Sequence, residues 1–132
     1  MSVFVDTSAF VALLLAGDAN HAEAAALFRR LLESTEPLLT HNYAMVETCA
    51  VLQRRVGVGA VRRFADDVMP VVAMDWVRPD DHAAGVAALL TGARRELSLV
   101  DCVSFAIMRR LGVTRVFCFD PDFTEQGFEV CR

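Results

Sequence analysis

Short apolar runs alternate with helical stretches along this chain, and that alternation constrains the fold more than any other feature. Val3-Phe4-Val5, Pro37-Leu38-Leu39-Thr40, Val71-Val72-Ala73-Met74 and Val116-Phe117-Cys118-Phe119 read as strands, with Phe128-Glu129-Val130-Cys131 as a short fifth. Between them the spacing predicts helices over 10–16, 21–33, 42–56 and 60–68, from Pro79 to about Leu90, and from Ser98 or Leu99 to Arg110. Strands separated by helices line up in parallel and are covered on both faces. The expectation is therefore an α/β fold of three layers, a central parallel sheet of about five strands flanked by helices. At 132 residues the chain suits a single domain, 1–132.

Punctuation supports these bounds. Thr40 or Asn42 can cap the helix that follows, Gly57-Val58-Gly59 ends it, and Pro70 stops the next. Pro79 suits a first helical turn, where its missing N–H costs nothing. In the 21–33 stretch Ala25, Leu27, Phe28, Leu31 and Leu32 form the apolar side, and Glu23, Arg29, Arg30 and Glu33 face outward.

The chemistry is carried by acids at element ends. Asp6 follows the first strand in Val5-Asp6-Thr7-Ser8, where it either caps the next helix or presents a carboxylate beyond the strand tip. Glu47 is the one charge between Asn42 and Leu52. Asp101 is alone in Leu99-Val100-Asp101-Cys102-Val103-Ser104-Phe105-Ala106, and Ser98-x-x-Asp101 also matches a capping box. Ser104 shares the Asp101 face and is a candidate phosphate or water contact. Asp120 ends the fourth strand in Phe119-Asp120-Pro121-Asp122-Phe123, and the tips of the first and fourth strands can be neighbours in a doubly wound sheet. Carboxylates gathered in this way repel one another unless cations neutralise them. All-oxygen ligands select Mg²⁺ or Mn²⁺, and such ions suit phosphodiester hydrolysis.

Composition removes competitors. No lysine occurs, which excludes a standard P-loop and the phosphoaspartyl enzymes that need a lysine beside the phosphate. The net charge of −4 looks wrong for a nucleic-acid protein. Setting aside Asp6, Glu47, Asp101, Asp120 and Asp122, however, leaves 13 arginines against 12 acids. Cys49, Cys102, Cys118 and Cys131 form no C-x-x-C pair and read as small core residues of a reducing compartment, with no zinc site. His21, His41 and His82 lack metal spacing and read as surface or loop residues. A hydrophobic content of 55% exceeds what a small monomer needs, so a dimer or tight complex is expected. No stretch suits a membrane span and no basic leader precedes Val3, which points to a soluble, cytoplasmic protein.

On these residues the chain resembles the PIN-domain family, within it the VapC-type ribonuclease toxins of bacterial and archaeal VapBC toxin–antitoxin systems. Val-Asp-Thr-Ser-Ala-Phe at 5–10, Glu47, Leu-Ser-Leu-Val-Asp-Cys at 97–102 and Phe-Asp-Pro-Asp-Phe at 119–123 carry the likeness over nearly the whole length. It implies a PIN-like fold and an endoribonuclease using Mg²⁺ or Mn²⁺. Asp6 and Asp101 would be the most direct ligands, Glu47 and Asp120 would complete the set, and Thr7 or Ser8 would assist. It also implies an RNA substrate, a homodimer and a cognate antitoxin that blocks the site. Cys118 stands where the family often has Ser or Thr. Of five Arg-Arg doublets, most read as solvated helix faces, and Arg94 with Arg95 are the expected RNA or antitoxin contacts. The competing readings are a non-catalytic PIN-like module that binds RNA or protein, and a metal-dependent phosphatase for small substrates.

Overall fold

The computed structural model describes residues 1–92 and 95–132. Five strands, β1 (Val3–Val5), β2 (Leu38–His41), β3 (Ala73–Asp75), β4 (Arg115–Phe117) and β5 (Glu129–Val130), form one sheet in the order β3-β2-β1-β4-β5. Every pairing is parallel, with Val3 opposite Leu38 on one side and Arg115 on the other. The first and fourth strands are therefore neighbours, as expected, and the switch point lies at the tips of β1 and β4.

The helices are α1 (Thr7–Leu14), α2 (His21–Glu33), α3 (Asn42–Arg55), α4 (Val58–Arg63), α5 (Pro79–Gly92), α6 (Leu99–Leu111) and α7 (Asp122–Glu125). They cover the sheet on both faces. Val3 and Val5 join Phe10, Leu27, Leu52, Phe64 and Phe117 in one core, while Phe4 joins Phe105, Met108, Val116 and Phe123 in the other. The alternation within β1 is the period-2 geometry of a strand buried on both sides.

Several boundaries move for identifiable reasons. α1 starts at Thr7 rather than Phe10 because the Asp6 carboxylate accepts from the Ser8 amide and nucleates the turn. Neither Thr40 nor Asn42 caps α3: the His41 ring does, accepting the Ala44 amide at its Nδ1. Gly57, at φ 133°, ends α3 and opens α4 directly, a conformation glycine tolerates. α4 continues as a wider turn over Phe64–Val68 and a tight one over Met69–Val71 around Pro70. That tight turn takes the Val72 amide onto the Met69 carbonyl, so β3 begins only at Ala73. β4 stops at Phe117, because the next available strand amide, on Phe119, is held by the Ser8 hydroxyl.

Ion pairs fix the far end of α6. Arg110 forks across Asp81 at 2.9 and 3.0 Å and reaches Asp75 at 2.7 Å, tying α6 to the start of α5 and the end of β3. This arginine is therefore not a solvated face. The cysteines are free, and Cys102, Cys118 and Cys131 are buried, in keeping with a packing role. No described helix is long and apolar enough to cross a membrane.

α5 and α6 meet closely at Gly85, where a Cβ would lie 2.5 Å from Val103 Cγ2. Val103 is branched and fully buried, so it cannot yield. Gly85→Ala is expected to cost about 1–3 kcal/mol of stability by overpacking. A lowered urea midpoint with unchanged slope would show it.

Candidate active site

The acids meet where the strands end. Asp6, 3% exposed, projects from the tip of β1. Its Oδ2 accepts from the Ser8 amide at 3.1 Å and the Ser8 hydroxyl at 2.6 Å. Ser8 Oγ in turn accepts the Phe119 amide at 2.9 Å, so one side chain stitches the tips of β1 and β4 together. The other Asp6 oxygen, Oδ1, is buried without a hydrogen-bond partner among the described residues. Burial pushes the Asp6 pKa from 3.8 to about 7, against the pull of Ser8 and with further push from Asp101 and Asp120.

Asp101 is both cap and site residue. Its amide donates to Ser98 Oγ at 3.0 Å, and its Oδ2 accepts from the Ser98 amide at 3.2 Å. The capping box thus locks a carboxylate that faces the tip of β4. Asp120 accepts the Asp122 amide at 2.9 Å, the turn that starts α7. One carboxylate oxygen each from Asp101, Asp120 and Asp122 lies within 4.8 Å of the others. Burial, followed by neighbouring negative charge, raises the pKa of Asp101 and Asp120 from the ordinary value despite their hydrogen bonds.

Glu47, half-buried on α3, faces the same space. Burial raises its pKa, Thr7 holds the rise back, and Asp101 and Asp120 add to it. The Thr7 hydroxyl also donates to the Ala44 carbonyl at 3.3 Å. The resulting cleft, about 450 Å³, is lined by Asp6, Thr7, Ser8, Glu47, Ser98, Asp101 and Asp120, together with Asp18, Asn20, Val51 and Arg55.

The structure thus brings Asp6, Thr7, Ser8, Glu47, Asp101 and Asp120 together. It does not bring Ser104, which is fully buried, donates to the Val100 carbonyl and meets His41 Nε2 at 2.8 Å. Asp101 sits in the first turn and reaches past the helix end, whereas Ser104, one turn on, points into the fold. Arg95 is exposed in the turn before α6 and does not line the cleft; Arg94 lies outside the described residues. His41 is a correction too: it is fully buried, stacked on Phe4 at 5.6 Å, and burial lowers its pKa to about 4. Asp122, counted from the sequence among the five acids, does meet Asp101 and Asp120. Arg55 lines the cleft without having been singled out, since an Arg-Arg doublet gives no signal for it. At Cys118 the thiol reaches the Asp120 carbonyl at 3.6 Å, and burial pushes its pKa up to about 12, so it packs rather than reacts.

The donors fit a divalent cation. An orphaned, buried Asp6 oxygen stands beside a compact group of three carboxylates, every donor is oxygen, and Asp101 and Asp120 push the Asp6 pKa up.

A family model described as PIN domain matches residues 3–129. The 23S rRNA-specific endonuclease VapC20 of Mycobacterium tuberculosis, from strain CDC 1551 / Oshkosh and from strain H37Rv, is 39% identical over 132 residues. That alignment covers 98% of this chain and 98% of the relative. The crystal structure of M. tuberculosis VapC20, titled a sarcin-ricin loop cleaving toxin, matches with a TM-score of 0.82 at 37% identity, covering 96% of this chain and 95% of its own. FitAcB from Neisseria gonorrhoeae, at TM-score 0.64 and 14% identity over 100% of this chain and 97% of its own, shares the fold.

Proposed function

The chain belongs to the PIN domain family, and from that premise we propose that it is a metal-dependent endoribonuclease, the toxin of a type II toxin–antitoxin pair. The observation that carries this reading is the group of Asp101, Asp120 and Asp122 beside the unpartnered Asp6 Oδ1. Mg²⁺ or Mn²⁺ held there would supply positive charge to the phosphoryl group and acidify the attacking water.

Asp6, Asp101, Asp120 and Asp122 would hold the ion. Ser8 and Ser98 fix two of these carboxylates through hydrogen bonds to one oxygen of each, Oδ2. Glu47, whose pKa is raised, accepts the proton of the attacking water, and Thr7 orients it. Attack in line with the leaving oxygen forms a bond from water oxygen to phosphorus and breaks the bond from phosphorus to O3′. The products carry a 5′-phosphate and a 3′-hydroxyl, the latter taking its proton from solvent.

The identity with a 23S rRNA-specific endonuclease across 98% of both chains supports ribosomal RNA as the substrate class. Exposed apolar side chains, including Trp76 and Leu90 at 64% and 73%, support burial against a second copy and a cognate antitoxin. The lack of a membrane-length helix among the described residues is in keeping with action in the cytoplasm.

The test is incubation of the purified chain with total cellular RNA in Mg²⁺, Mn²⁺ or chelator, beside Asp101→Asn and Asp122→Asn. Discrete cuts with 5′-phosphates are expected, lost with chelator and reduced about a hundredfold or more in both variants. Cuts that persist with chelator would remove the metal mechanism. Absence of cuts, together with no Mg²⁺ or Mn²⁺ binding in a titration, would favour a non-catalytic binding module.

A further inference from the structure

A second groove, about 420 Å³, adjoins the acidic cleft and shares Asp18 and Arg55 with it. Its floor is apolar, made by Leu14 and Leu15 at the end of α1 and by Val56 after α3; Val56 is 56% exposed. Arg55 and Arg63 line its walls. Among the described residues these two guanidinium groups have no hydrogen bond or ion pair, whereas Arg110 and Arg115 are held by acids and Arg109 by Gln126 and the Phe105 and Phe128 rings. A helix dipole accounts for arginines in the last turns of α3 and α4. It does not account for one from each helix meeting over a common apolar floor at the mouth of an acidic cleft.

We propose that this groove holds the unpaired RNA strand flanking the scissile phosphate, with Arg55 and Arg63 gripping successive phosphates and a base lying against Leu14, Leu15 and Val56. The proposal rests on the nuclease reading. Five carboxylates repel a polyanion, so the strand needs cations where it leaves the cleft, and among the described residues Arg55 is the cation that lines both spaces. Guanidinium groups suit phosphate because their fork makes paired, charge-assisted hydrogen bonds. An apolar floor accepts the face of any base, but only when that base is out of a duplex, so the groove selects single-stranded or looped RNA. Asp18 stands at the border, its side chain held by the Asn20 amide at 2.8 Å, and keeps phosphates toward the arginine side.

The experiment uses Arg55→Ala, Arg63→Ala and the double variant, with Arg29→Ala on the exposed face of α2 as control. Fluorescence anisotropy with a short single-stranded RNA and the same RNA in duplex form gives affinity at several salt concentrations. Cleavage of the RNA mapped in the functional assay gives KM and kcat. Each arginine lost is expected to weaken single-strand binding about tenfold and to flatten the salt slope by about 0.7. KM is expected to rise in step and kcat to stay within about twofold, since neither residue holds the acids. Unchanged binding and KM in the double variant would overturn the groove assignment, as would equal loss for duplex and single strand, or a loss confined to binding of an antitoxin peptide. A wild-type chain that binds RNA through these arginines but cuts none would instead overturn the nuclease reading and leave the groove standing.

Discussion

Asp6→Asn is expected to stabilise the metal-free protein at pH 8 by up to about 4 kcal/mol while reducing RNA cleavage about a hundredfold or more. Both effects have one cause. Burial raises the Asp6 pKa from 3.8 to about 7, so between those values the folded chain keeps a proton that the unfolded chain has released. Stability therefore falls as pH rises from about 4 to about 7, and this cost remains at higher pH. Asparagine has no charge to bury. Its carboxamide oxygen can still accept from Ser8, so the start of α1 survives. Urea titrations with chelator should show the variant ahead of wild type at pH 8 and level with it at pH 4. Added Mn²⁺ should reverse the order, because only the carboxylate gains from the ion. Equal stability at pH 8 with chelator would mean that Asp6 is charged and satisfied without metal, which would remove the electrostatic case for the site.

The same physics explains what the sequence could and could not disclose. Val3-Phe4-Val5 is legible because a strand buried on both faces leaves no polar position, and Asp6 is legible because it breaks that run at the tip. Asp101 was open to two readings, cap or ligand, and the structure shows that one residue can do the first without losing an oxygen for the second. Asp120 needed the strand order, which follows from the β-α alternation. The misses share a different character. Ser104 and Asp101 are three residues apart on a helix, yet a first-turn side chain and a second-turn side chain answer to different surroundings. Arg55 differs from Arg54 only in direction, which composition does not encode. His41 stands between two better capping residues, Thr40 and Asn42, and spacing alone does not indicate that an imidazole displaces them. Thr40 is turned away to donate to the Val5 carbonyl at 2.9 Å, and Asn42 is committed to the Val77 amide at 2.7 Å.

His41→Ala is expected to cost about 3–5 kcal/mol, since it opens a ring-sized cavity and removes a helix cap. The ring joins three elements: it stacks on Phe4 of β1, its Nδ1 caps α3, and its Nε2–H donates to Ser104 of α6. The proton must lie on Nε2, because Nδ1 already accepts an amide, so the folded ring is neutral. Burial holds its pKa at about 4, below the unfolded value of 6.5. Its contribution is therefore fully present above pH 6.5 and lost as pH falls through about 4, a term worth roughly 3 kcal/mol. That sign is opposite to the sign at Asp6. In metal-free wild type the two slopes largely cancel between pH 4 and 6.5, so Asp6→Asn should lose stability on acidification through that window and His41→Asn should gain it. The asparagine also restores the cap to Ala44 but falls short of Ser104. It should recover about 1 kcal/mol of the alanine loss and leave α6 less firmly tied. Glu47 and Asp101 ride on the two helices the ring connects, so cleavage per folded molecule should drop about ten- to a hundredfold in His41→Ala. Wild-type cleavage by folded His41→Ala would show that α3 and α6 hold their acids in place without this residue, leaving it a purely structural cap.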